Sequence, residues 1–121
     1  MANAPLESQE QRTLFQWLAL NMGRHPELGL CFHIPNGGSR NAREAHNLKL
    51  QGVKAGVPDL FLPVPRGEYH GLFIEMKRTK GGRVSDEQKE WITALSGQGY
   101  KCVVTKGWED AAEQIKAYIS A

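Results

Sequence analysis

The residues best placed to do chemistry are Asp59, which follows Pro58, and the pair Glu75 and Lys77, which flank Met76. Each group sits in an apolar run that reads as a strand: Asp59-Leu60-Phe61-Leu62, and Leu72-Phe73-Ile74-Glu75-Met76-Lys77. Side chains alternate faces along a strand, so Glu75 and Lys77 share one side and Ile74 and Met76 the other. The two charged positions lie about 7 Å apart along the strand, close enough to converge on one small site. Pro63, Pro65, Gly67 and Gly71 separate the runs and allow the chain to reverse. Antiparallel pairing could then bring Asp59 beside Glu75.

Two carboxylates and a lysine in one pocket suit phosphoryl chemistry with a hard divalent cation. Mg²⁺ takes oxygen ligands, typically one or two carboxylates with water and substrate phosphate. A neighbouring lysine can position or deprotonate a water and offset charge in the transition state. The competing reading is a solvated Glu75–Lys77 ion pair, which contributes little. The preceding strand, the Pro58-Asp59 dipeptide and the hairpin-forming segment favour the site.

The elements that must position these residues follow from pattern. Leu6 to Met22 is helical, with Leu14, Trp17 and Leu18 at i, i+3 and i+4. Glu10 falls on the core-facing side of that helix. Two readings stand equal for it: a helix-start acid favoured by the dipole, or a carboxylate reaching inward to the metal pocket. Arg24 to Gly29 reads as a turn, and Leu30 to Ile34 as a short strand ended by Pro35-Asn36-Gly37-Gly38. Ser39 can cap a lightly packed basic helix over about Arg40 to Gln51. Arg40, Arg43, Lys49 and Lys54 then lead into Gly56-Val57-Pro58-Asp59, either as an arm for phosphates or as a solvated face.

Beyond Glu75, Arg78, Lys80 and Arg83 form a basic turn with Gly81 and Gly82, suited to a phosphate backbone. Ser85 and Gln88 are spaced as a capping box for a helix through Trp91, Ile92 and Leu95, ended by Gly97 and Gly99. Gln88 could instead face the site; by position alone the cap is favoured. Tyr100 to Thr105 is an apolar run expected as a buried strand, and a final helix spans about Glu109 to Ile119. The order α-β-α-β-β-α-β-α describes an α/β fold, a mixed sheet flanked by helices.

The 121 residues make one domain, 1–121, with 40% hydrophobic and 23% charged residues. A formal charge of +2 does not by itself demand nucleic acid. Cys31 and Cys102 read as reduced core thiols, with a disulfide the less favoured alternative. The four histidines lack the spacing of a zinc site. No apolar run reaches membrane-spanning length and no secretory signal pattern is present, so a cytoplasmic protein is expected.

Pro58-Asp59 followed by Glu75-Met76-Lys77 resembles the signature of the restriction-endonuclease-like nuclease superfamily. With His33 to Gly38, Gly52 to Asp59 and Gly82 to Gln88, the chain most resembles the VRR-NUC domain in its small stand-alone form. That resemblance implies a restriction-endonuclease-like fold and a Mg²⁺- or Mn²⁺-dependent endonuclease. Asp59 and Glu75 would hold the metal, with Glu10 as a further ligand, Glu7 its competitor, and the Met76 carbonyl completing the set. Lys77 would orient the water and Gln88 would steady Lys77 or the substrate. Asn36 and Ser39 would contact phosphate. The implied substrate is DNA, with Holliday junctions or other branches favoured. Because one metal site cuts one strand, a homodimer suits paired cuts. The alternatives are a broader nicking or flap nuclease and a non-catalytic DNA-binding module.

Overall fold

A computed structural model describes residues 6–35 and 41–121. Helix α1 (Glu7–Asn21) leads through a 3-10 turn (Pro26–Leu30) to β1 (Phe32–His33) and α2 (Ala42–Leu50). Strands β2 (Leu60–Leu62) and β3 (Leu72–Lys77) follow, then α3 (Asp86–Gly97), β4 (Lys101–Lys106) and α4 (Gly107–Ile119). The sheet order is β1-β2-β3-β4, antiparallel at the first two pairings and parallel at β3–β4. It is the mixed, helix-flanked sheet expected from the order of elements.

Alternation divides the sheet into two unlike faces. Leu60, Leu62, Leu72, Ile74 and Met76 are all buried against Leu14 and Leu18 of α1 and Ala111, Ala112 and Ile115 of α4. Burying each such leucine or isoleucine stabilises the fold by about 1.5–3 kcal/mol, so this face forms the core. The opposite face carries an aromatic row. Phe61 and Phe73 are paired in register and stack at 4.2 Å, with Phe32 and Tyr100 edge-on to Phe61. Helix α3 packs on β4. The charged residues of β3 belong to this second face.

Several local expectations are corrected. The 3-10 turn occupies Pro26–Leu30, so β1 is confined to Phe32–His33, although Ile34 still donates its N–H to the Asp59 carbonyl at 2.7 Å. The cap of α2 is Asn41, whose side chain accepts from the Glu44 N–H at 2.8 Å; Ser39 lies outside the described residues. Helix α2 buries none of its residues, in keeping with its small apolar side chains. The largest difference is β4. Its apolar run suggested burial on both faces, yet it forms the sheet edge and Val104 is 43% exposed. Strand order across the sheet is a long-range property, so the run alone could not reveal it.

Both cysteines are free, and burial pushes the Cys31 thiol up to about 12. Among the described residues no helix is long and apolar enough to cross a membrane.

Candidate active site

The β2–β3 register pairs Leu60 with Ile74, and its continuation sets Asp59 opposite Glu75 and Pro58 opposite Met76. Proline has no N–H to donate, so the ladder ends at Pro58. The Met76 N–H, which faces β2, is taken up by Asp59 Oδ2 at 2.9 Å. The Pro-Asp dipeptide thus breaks the ladder and aims a carboxylate at the next strand. In an extended strand the N–H and C=O of one residue point toward the same neighbour, so the Met76 carbonyl also faces the Asp59 side.

Glu75 is 2% exposed, and its Oε2 lies 3.5 Å from Lys77 Nζ, with Lys77 itself 8% exposed. Its other oxygen, Oε1, is buried without a hydrogen-bond partner. Burial, then the hydrogen bond to Asp59 and the Asp59 charge, push the Glu75 carboxyl up to about 8, against the opposing pull of Lys77. Further positive charge beside Glu75 would favour its ionised form. Among the described residues no three acidic, histidine or cysteine side chains form a ready metal cluster. Asp59 and Glu75 are a pair.

Helix α3 holds the approach to Asp59. Trp91 donates its indole N–H to the Ala55 carbonyl at 3.1 Å. Gly56 has φ +90°, and a Cβ there would sit 2.9 Å from the Glu87 backbone carbon. Only glycine permits that contact and that conformation together. On the other side, a Cβ at Gly82 would stand 2.7 Å from Lys77 Cβ, so the basic turn folds closely over the lysine.

Glu10 is 6% exposed, but it does not complete a cluster with Asp59 and Glu75. Its Oε2 accepts the N–H of Trp108 in the first turn of α4. Helix α4 has no side-chain cap from its own N-terminus, and Glu10 supplies one from α1. The inward orientation read as one of two possibilities is therefore present, with a helix terminus as its target. Glu7 is exposed. Gln88 forms the reciprocal cap: its Oε1 accepts from the Ser85 N–H at 2.8 Å, and Ser85 Oγ accepts from the Gln88 N–H at 3.1 Å.

Of the basic residues, Arg43, Lys54, Lys80 and Arg83 are exposed and Arg78 is half-buried. Asn36, Ser39 and Arg40 lie outside the described residues. Sequence reasoning placed Trp91 only on a helix face and missed its link to Ala55. Nothing local in the sequence marks Ala55 as its acceptor, since the two residues are far apart along the chain.

A mixed sheet that brings Asp59, Glu75 and Lys77 together at one end of its central strands has the restriction-endonuclease-like nuclease architecture. The sequence matches the VRR-NUC domain over residues 6–109. A solved structure described as a VRR_NUC domain protein superposes with a TM-score of 0.82 at 32% identity, covering 98% of this chain and 92% of that one. The chain belongs to the VRR-NUC family, and its fold is that of a DNA-processing nuclease. No curated protein matches the sequence.

Proposed function

We propose that this protein is a divalent-metal-dependent endodeoxyribonuclease that hydrolyses phosphodiester bonds in branched DNA, above all four-way junctions, as a homodimer. The observation that carries the reading is the buried Glu75 beside half-buried Asp59, with Lys77 Nζ 3.5 Å from Glu75 Oε2 and Glu75 Oε1 unsatisfied. An orphaned Glu75 oxygen, on a carboxyl whose pKa is raised by burial and by Asp59 in spite of Lys77, fits a hard divalent cation. Asp59 and Glu75 would hold Mg²⁺ or Mn²⁺, with the Met76 carbonyl on the same side. Bound there, such an ion supplies a Lewis acid for a phosphoryl oxygen and lowers the pKa of a coordinated water. Glu10 would be a further ligand, reaching the ion through one of the waters that Mg²⁺ usually keeps.

Lys77, largely buried and facing Glu75, orients the attacking water and offsets charge that builds on the phosphoryl oxygens. Gln88 keeps its side-chain N–H₂ for the substrate backbone while its oxygen serves the cap. Arg43, Lys54, Arg78, Lys80 and Arg83 contact phosphates, together with Asn36, Ser39 and Arg40. Such contacts position DNA without reading its sequence, in line with recognition by shape. A two-fold dimer presents two symmetric sites, which suits paired cuts across a junction.

The test is cleavage of labelled four-way junction, flap, linear duplex and single strand in Mg²⁺, Mn²⁺ or EDTA, with Asp59→Ala beside the wild type. Metal-dependent symmetric junction cuts, lost in the variant, are expected. Equal cutting of every substrate would remove the junction preference. DNA binding without cutting under any metal would leave a binding module.

A further inference from the structure

The sheet register points to an additional DNA contact on the edge strand. In the parallel β3–β4 pairing, Glu75 lies opposite Val104 and Lys77 opposite Lys106. Partners in register point to the same face, so Val104 and Lys106 flank the two charged residues of β3 on the side where Asp59 also lies. Burial agrees: Thr105, on the other face, is 0% exposed, whereas Val104 is 43% exposed and Lys106 is exposed. The face is therefore open to solvent over the end of β4, directly beside the buried Glu75.

Lys106 and Lys77 are alike in register but not in environment. Lys77 is buried and faces Glu75 Oε2. The Lys106 ammonium has no carboxylate within ion-pair distance among the described residues. Its backbone N–H donates to Asp110 Oδ2 at 2.9 Å, and its φ of −115° and ψ of 106° keep it strand-like up to the start of α4. The first turn of α4 is not itself a competing anion site, because Glu10 already accepts the Trp108 N–H.

We infer that Lys106 is a positioning residue that binds a phosphate of the DNA strand next to the one cleaved, over the open edge of β4. The inference rests on the nuclease reading above. An exposed cation one strand away from Lys77 anchors the backbone, while the buried lysine acts on the reacting group. This role predicts weaker binding without loss of the chemical step.

The experiment compares wild type, Lys106→Ala, Lys106→Arg and, as a remote control, Lys116→Ala. Binding to labelled duplex and four-way junction is measured by anisotropy in EDTA from 50 to 200 mM salt, and single-turnover cleavage at saturating DNA in Mg²⁺. Lys106→Ala should weaken binding about fivefold at the higher salt and reduce the log–log salt slope by about 1. Its saturated cleavage rate should stay within about twofold of wild type, as for a group that only positions substrate. Lys106→Arg should restore binding, and Lys116→Ala should behave as wild type. Unchanged affinity and slope in Lys106→Ala would overturn the assignment while leaving the nuclease reading intact. A wild type that neither binds nor cuts DNA would overturn the nuclease reading and the Lys106 role with it.

Discussion

At the scale of single residues, Glu75 is the most informative group in the molecule. It carries a buried carboxyl that keeps its proton up to about pH 8 in the metal-free protein. In the unfolded chain the same group titrates near about 4.3. Between those values the folded state holds a proton that the unfolded state has released, so stability falls as pH rises. The contribution is fully present below the unfolded pKa and is lost as pH rises through the folded one, at up to about 1.4 kcal/mol per pH unit. Urea denaturation in EDTA between pH 5 and 8 should show this decline, and Glu75→Gln should flatten it. Added Mg²⁺ should stabilise wild type more at pH 8 than at pH 6, because a ligating carboxylate must first lose its proton. For the chemistry itself, Asp59→Ala and Lys77→Ala should each lower single-turnover cleavage by at least about a hundredfold. Normal cutting by either variant would remove that residue from the mechanism.

The elements matter because they hold these groups at fixed distances. Helix α3 pins the loop before Asp59 through Trp91 and the close approach of Glu87 to Gly56. Gly56→Ala introduces a clash and a disfavoured φ together, and should destabilise the fold by about 1–3 kcal/mol in chemical denaturation. It should also slow cleavage by shifting Asp59, although residue 56 is not itself part of the site. Helix α4 depends on α1 in the same way. Glu10→Ala removes the side-chain acceptor of the Trp108 N–H and should cost about 1–2 kcal/mol. Glu10→Gln keeps an acceptor oxygen and should retain most of that stability. Its Mg²⁺ affinity, read by titrating cleavage against metal, should drop about tenfold if Glu10 acts through a bound water. Unchanged metal dependence would leave Glu10 as a helix cap alone.

For the whole molecule, the two faces of the sheet divide the labour. One face, covered by α1 and α4, supplies the core, and the other carries the carboxylates, Lys77 and the aromatic row. A single chain offers one such site, so paired cuts require a second copy. Light scattering should give twice the 13.5 kDa chain mass. Junction cuts should fall at symmetric positions on opposing strands. A monomer that makes single nicks would replace the junction assignment with a broader nicking activity.

The sequence by itself determined much of this protein, wherever the signal is local. Hydrophobic period, capping residues and glycine stops were enough to locate α1, α3 and β3, since each reflects interactions within a few residues. The juxtaposition of Asp59 and Glu75 was legible as a possibility, because two short runs separated by breakers can form a hairpin, and the register itself is set by the pairing of Leu60 with Ile74. Tertiary structure decided the rest. Whether β4 lay inside the sheet or at its edge depended on the order of strands, which an apolar run does not encode. The target of Glu10 depended on where α4 begins relative to α1, far away in sequence. The Gln88 cap, by contrast, was legible in its spacing from Ser85, because a capping box is local. Lys106 shows the same limit most plainly. Nothing near it in sequence marks it as a neighbour of Lys77, and only the parallel pairing of β3 with β4 sets the two lysines side by side.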